Sequence, residues 1–332
     1  MHPRLNPQAL VLVVAYCTLV LLPFPLIAND TDGGRTPHTL ARFDGSDIQY
    51  YLEKRPGAHR QPIVVVMQGS DCNSVVNNPR IREIADVAPT AAVLLVEKYG
   101  ITDALPLSKL VERSDCPDAY LKNNRPEQRV IDYAQVVAAL RRSASSWWNR
   151  RLIIIGGSEG SVIAEQVATI VPETERLIIF GFGARRFEDD VLHSVQQSME
   201  EEGLDADARQ EQIAKMQSMF KTALADRSPN DIVSGYSHAW WASMLSIDQL
   251  AALSQVAVPV LALQGSNDEE VSVEGARALI SQLRSLGIGK SNIQYVEYAG
   301  LNHGFRDKSG TSHVDSVLGD MAKWLRERPT QR

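Results

Sequence analysis

The stretch Leu152-Ile153-Ile154-Ile155-Gly156-Gly157-Ser158-Glu159-Gly160-Ser161 constrains this chain more than any other. Four apolar, mostly β-branched residues predict a buried strand. A Gly-x-Ser-x-Gly turn follows, with Ser158 at its centre, and Val162 to Ala168 then places apolar residues at helical spacing. Strand, sharp turn and helix form the setting in which a serine is held strained at the end of a sheet. Gly156 and Gly160 let strand and helix pass close together. The helix also aims its N-terminal amides at whatever charge develops beside Ser158. Alone, such a turn is a weak signal, because any α/β protein contains Gly-rich strand-to-helix turns. The rest of the chain decides.

Thr39–Phe43 and Ile48–Leu52 flank Asp44-Gly45-Ser46-Asp47, which predicts a hairpin. Ile63–Met67 and Ala92–Val96 are continuous apolar runs of the kind found in central parallel strands. The first ends in Gln68-Gly69-Ser70-Asp71 and the second in Glu97-Lys98-Tyr99-Gly100. Residues 101–126 lack periodicity and read as a long loop. Glu127 to Arg142 reads as an amphipathic helix, and Arg176 to Gly181 as another buried strand.

The rhythm then changes. Residues 185–255 contain no strand-like run. Glu188 to Ala225 is acidic and has helical spacing, and Tyr236, Trp240 and Trp241 gather in a chain with only 6% aromatic residues. This region predicts a helical cap inserted into the fold. Alternation resumes with a strand over 258–263 that ends in Gln264-Gly265-Ser266-Asn267-Asp268, and a helix over 275–286. The last strand, 293–298, leads to Gly300-Leu301-Asn302-His303-Gly304-Phe305, and a closing helix spans 314–328. Repeated strand-helix units predict an α/β class fold with a mostly parallel sheet flanked by helices. In such sheets functional groups collect beyond the carboxyl ends of the strands. Ser158, Asp268 and His303 each stand at such an end, in that chain order.

Length and composition fit a globular chain with a sizeable core, 332 residues and 44% apolar. The net charge of −6 and the lack of a basic run exclude a nucleic-acid partner. Arg4, the apolar run Ala9–Leu22 and small Ala28 predict a signal peptide over 1–28 and an exported protein, periplasmic or secreted. An uncleaved membrane anchor is the alternative, and the only route to a membrane. Residues 29–38 read as a flexible lead-in. The core then divides into 39–184 and 256–332 around the cap, 185–255. Removal of Cys17 with the leader leaves Cys72 and Cys116, and two cysteines in an exported chain predict a disulfide. The histidines lack metal-ligand spacing, no phosphate-cradling Gly motif appears, and no cofactor or metal is expected.

On Gly-Gly-Ser158-Glu-Gly, Gln-Gly-Ser-Asn-Asp268-Glu-Glu-Val and Gly-Leu-Asn-His303-Gly-Phe, residues 39–330 resemble the serine hydrolases of the α/β-hydrolase superfamily. The nearest branch holds carboxylesterases, dienelactone-hydrolase-like proteins and prolyl-oligopeptidase-like catalytic domains. The resemblance implies the α/β-hydrolase fold, with Ser158 as nucleophile, His303 as base and Asp268 orienting it. Glu269 and Glu270 are adjacent rivals of Asp268. Oxyanion donors are expected from the backbone amides of Glu159 and Ser70, with that of Asp71 as the alternative to Ser70. The family often has His-Gly where this chain has Gln68-Gly69. Glu159 is expected either to pair with Lys98 or an arginine, or to grip a cationic group on a substrate. Tyr99, Tyr236, Trp240 and Trp241 are candidates for the pocket wall, against ordinary packing of the cap. A small-molecule ester is the expected substrate. A short peptide, cleaved by a small peptidase or amidase, is the alternative, and a non-catalytic binding protein a third. The sequence does not indicate the oligomeric state.

Overall fold

The computed structural model describes residues 37–57, 59–110, 113–144, 146–287 and 292–327. The expected leader 1–28, with Cys17, and most of the lead-in 29–38 lie outside the described residues. In chain order the elements are β1 (His38–Ala41), β2 (Asp47–Glu53), β3 (Gln61–Met67), α1 (Pro79–Ala85), β4 (Ala92–Val96), α2 (Asp118–Asn123), α3 (Pro126–Ser143), β5 (Trp148–Gly157), α4 (Glu159–Ile170) and β6 (Thr174–Phe180). There follow α5 (Phe187–Glu201), α6 (Ala206–Asp226), β7 (Ile232–Val233), β8 (Tyr236–Ser237), α7 (His238–Ser246), α8 (Gln249–Ser254), β9 (Val260–Gly265), α9 (Val273–Ser285), β10 (Ile293–Tyr298) and α10 (Val314–Arg326).

Eight strands form one sheet in the order β1-β2-β4-β3-β5-β6-β9-β10. β2 pairs antiparallel with β1 and β4, and every other neighbouring pair is parallel. β5 lies at the centre, so its apolar run is covered on both faces. Side chains alternate across a strand. Accordingly Leu152 and Ile154 join the layer under α3, α4, α8 and α9, while Ile153 and Ile155 join that under α1 and α10. This explains why the run shows no polar alternation: neither face meets water.

Three regions differ from the sequence reading. The loop over 101–126 contains the short helix α2, too brief to show a period. The acidic stretch 188–225 is two helices, α5 and α6, divided near Gly203. Between α6 and α7 lies a two-stranded ribbon, β7 with β8, each only two residues long. Helices α5, α6 and α7 pack a separate apolar cluster built on Val195, Met216, Phe220, Trp240 and Trp241, which Val162 of α4 joins. Helix α8 is different: its Leu253 belongs to the layer beneath the sheet.

Glu165, on α4, is fully buried, and neither carboxylate oxygen has a hydrogen-bond partner among the described residues. Burial without a compensating charge pushes its carboxyl well above the usual range. The native state therefore keeps a proton that the unfolded chain releases once the pH exceeds the ordinary value of 4.5. Stability conferred by the neutral form is complete below that pH and is lost as the pH rises. We expect Glu165→Gln to gain about 1.4 kcal/mol over the wild type for each pH unit above that value, until the native carboxyl ionises. Chemical denaturation at pH 5 and pH 8 checks this, and a stability difference unchanged between the two would refute it.

Candidate active site

Ser158 sits between the end of β5 and the start of α4 at φ 53°, ψ −131°, a conformation that non-glycine residues rarely adopt. The surroundings impose it. The Ser158 amide donates to the carbonyl of Phe180 at 3.0 Å, and its carbonyl accepts from the Ser161 amide at 2.8 Å and the Ser161 hydroxyl at 2.7 Å. The glycines provide clearance. A Cβ on Gly156 would collide with the Gly160 carbonyl, and one on Gly160 with the Met67 carbonyl. Strand β3, the elbow and α4 are thus in backbone contact.

His303 lies in the loop after β10, and Asp268 in the loop after β9. His303 Nδ1 is 2.8 Å from Asp268 Oδ2. That oxygen also accepts from Gln264 Nε2 at 2.7 Å, and Oδ1 accepts from the amides of Glu270 at 3.0 Å and Val271 at 3.1 Å. Four donors converge on one buried carboxylate. An acceptor at Nδ1 fixes the imidazole tautomer: Nδ1 carries the hydrogen and Nε2 keeps its lone pair. The rivals are turned elsewhere. Glu269 Oε1 accepts from Asn302 Nδ2 at 3.3 Å, and Glu270 lines a cleft under the cap.

Gly69 lies against the elbow, where a Cβ would stand 3.2 Å from that of Ser158. Lys98 holds this loop from within. Its Nζ donates to the Gly69 carbonyl at 2.6 Å, the Asp71 carbonyl at 2.5 Å and Asp71 Oδ1 at 3.1 Å. In a trans peptide, the carbonyl of one residue and the amide of the next point in opposite directions. The Ser70 N–H therefore points away from Lys98, and it has no protein acceptor among the described residues. The amide of Glu159, first in α4, is one of the donors that a helix N-terminus leaves unsatisfied. Burial depresses the Lys98 ammonium below its usual range, with Asp71 opposing the shift.

The Glu159 side chain turns inward to a buried pair with Arg129, Oε1 to Nη1 at 2.7 Å. Arg129 also donates to the Gln68 carbonyl at 2.6 Å. The arginine, not Lys98, is the partner of Glu159. The Cys72–Cys116 disulfide closes the loop from its other end.

Two clefts meet at Ser158 and Ser70. One, about 710 Å³ and open to solvent, runs under α5 and α7 past Val162, Phe187, Tyr236, Trp240 and Met244. The other, about 1050 Å³, runs past His303, Phe180, Ile81 and Leu107. Tyr236 stacks on Trp240 with ring centroids 4.0 Å apart, so two of the four proposed wall residues line a cleft. The other two do not. Trp241 is fully buried, and its indole N–H is already bound to the Val233 carbonyl at 3.1 Å. Tyr99 packs beneath the Arg42 guanidinium, 4.3 Å from the ring centroid, and donates to Asp44 at 2.9 Å.

Several site residues carried no sequence signal. Asp190, on α5, lines the cap cleft and accepts from the amides of Ala184 at 2.8 Å and Ser272 at 2.9 Å. Burial raises Asp190 to about 7, and Glu270 likewise to about 7, with His303 opposing the latter shift. On the cap, Asp226, Asp231 and His238 bring ligand atoms within 4.8 Å of one another, although no histidine spacing announced them. They line neither cleft, and His238 Nδ1 already engages Asp226 at 3.0 Å.

Strand order, elbow and loop positions now permit comparison with known proteins. No protein-family model and no curated protein sequence matches the chain. Solved structures do. A carboxyl esterase from Bacillus coagulans superimposes with a TM-score of 0.58 at 15% identity, over 87% of this chain and 97% of the other. Est1E from Butyrivibrio proteoclasticus gives 0.54 at 14%, over 87% and 97%. An alpha/beta hydrolase fold protein from Chitinophaga pinensis gives 0.53 at 14%, over 89% and 98%. The chain has the α/β-hydrolase fold. At such identities the likeness is one of fold, and α/β-hydrolase folds host many chemistries. What this one does rests on its own site.

The disulfide closes a segment with a sequence separation of 44, so its loss is expected to cost about 4 kcal/mol by the chain-entropy relation. Denaturant unfolding with and without reductant measures this, and an unchanged midpoint would refute it.

Proposed function

We propose that the protein is a serine hydrolase that cleaves carboxylic esters through an acyl-enzyme. One observation carries the reading: the Asp268-bound imidazole of His303 lines the same cleft as Ser158, with Nε2 left as the basic nitrogen. Ser158 Oγ attacks the ester carbonyl while His303 Nε2 takes its proton. Asp268 holds the ring and stabilises the imidazolium. The amides of Ser70 and Glu159 receive the developing oxyanion. Collapse breaks the bond to the leaving alcohol, which takes the proton from His303. Water, deprotonated by the same nitrogen, then releases the acid and restores Ser158.

The names of structural neighbours, a carboxyl esterase, a lipase and Est1E, the last also solved with ferulic acid bound, support ester rather than amide substrates. A small peptidase or amidase is the competing reading, and the same assay separates the two. The disulfide and the N-terminal apolar run support export, since disulfides persist in oxidising compartments.

Hydrolysis of p-nitrophenyl esters of graded chain length is expected, alongside slower or absent turnover of aminoacyl p-nitroanilides. Asp268→Asn should lower kcat by about 10⁴-fold through the wrong imidazole tautomer, and Ser158→Ala should remove turnover. Steady-state kinetics on folded variants checks both. Activity confined to anilides would establish the peptidase reading, and ester turnover retained by Ser158→Ala would end the serine mechanism.

A further inference from the structure

The two clefts that meet at Ser158 differ in charge. Glu159, Asp190 and Glu270 line the cap cleft, and among the described residues no lysine, arginine or histidine lines it. The other cleft carries Arg80, Lys109 and His303 beside a single acid, Asp71. The acidic cleft is also aromatic, with Phe187 and the stacked pair Tyr236 and Trp240 on its wall.

Two buried acceptors on that wall lack a donor among the described residues, Glu159 Oε2 and Gln249 Oε1, against one donor without an acceptor, the Trp240 indole N–H. Neither side chain is loosely placed. Glu159 is 5% exposed and anchored through its other oxygen by Arg129, and Gln249 is 3% exposed and anchored through its amide nitrogen on the Ala184 carbonyl. Buried acceptors without donors cost free energy until something supplies an N–H. Electron-rich ring faces beside carboxylates attract a cation.

The division of labour between the clefts follows from the proposed function, on which this inference rests. His303 delivers a proton to the leaving group and lines only the second cleft, so the leaving group lies there. The acyl group then lies in the cap cleft. We propose that the cap cleft selects acyl groups bearing a protonated amine, bound by Glu270 and by the unpaired acceptors of Glu159 and Gln249 against the rings of Tyr236 and Trp240. Burial raises Asp190 and Glu270 to about 7, and an incoming ammonium draws both toward their charged forms.

The test compares two isosteric esters, p-nitrophenyl 6-aminohexanoate and p-nitrophenyl heptanoate, which carries a methyl group in place of the ammonium. The expected preference in kcat/KM is about tenfold for the ammonium ester, as befits a partly screened ion pair. It should collapse toward unity in Glu270→Gln. Hexylammonium should inhibit competitively where 1-hexanol does not, a result that needs no variant. A ratio of one or less, with Ser158-dependent hydrolysis of the heptanoate intact, would overturn the cation site and leave the hydrolase reading standing. A preference unaffected by Glu270→Gln, with hexylammonium no better than hexanol, would also overturn it. Failure of both esters, with Ser158 inert to phosphonylation, would remove the hydrolase reading and this inference together.

Discussion

Everything at the site depends on a backbone contact: the close approach of β5, α4 and the end of β3 around Ser158. Gly156 and Gly160 permit it, because the volume a Cβ would need is occupied by the carbonyls of Gly160 and Met67. The approach drives Ser158 into a left-handed conformation that costs about 1–3 kcal/mol and persists only because the flanking strand and helix over-determine it. Ser158 thereby stands immediately before the N-terminus of α4. Strain at one residue is thus sustained by packing along two whole elements, the fully buried Ile154 and Ile155 of the strand and Ile163 and Val167 of the helix.

The loop facing the elbow is held by charge rather than by apolar packing. Lys98 and Arg129 are buried cations that end on backbone carbonyls of residues 68, 69 and 71. Buried ion pairs are poor sources of net stability, since desolvation consumes most of the attraction. They are good sources of position, because a charged donor fixes a carbonyl more firmly than a neutral one does. Asp71 and Glu159 complete the two pairs. The disulfide at Cys72 adds a covalent limit to the same loop. These contacts fix the loop carbonyls in place, as the proposed oxyanion-binding role would require.

The sequence revealed what repeats locally and hid what depends on meeting at a distance. The strands were legible because a run such as Ile63–Met67 is apolar without alternation. The order of Ser158, Asp268 and His303, each after a strand, was legible because strand ends are where such sheets place polar groups. The pairing of Glu159 was only half legible: Lys98 or an arginine could serve as partner, and only the assembled sheet brings Arg129 to it. Asp190 and Gln249 gave no sign, since an acid in an acidic helix reads as a solvated face. Tyr99 and Trp241 misled because aromatic residues near a site look alike in sequence, whether they wall a cleft or fill a core. The short α2 and the β7–β8 ribbon were invisible because two to six residues cannot display a period.

The central claim is that Ser158 is a nucleophile activated by His303. Intact mass measured after brief exposure to a fluorophosphonate tests it most directly, because the adduct forms only on an activated serine. The account predicts one adduct, mapped to Ser158 by peptide sequencing, formed far more slowly in His303→Ala and absent in Ser158→Ala. A folded wild-type protein that gains no adduct, or gains one on another residue, would contradict it.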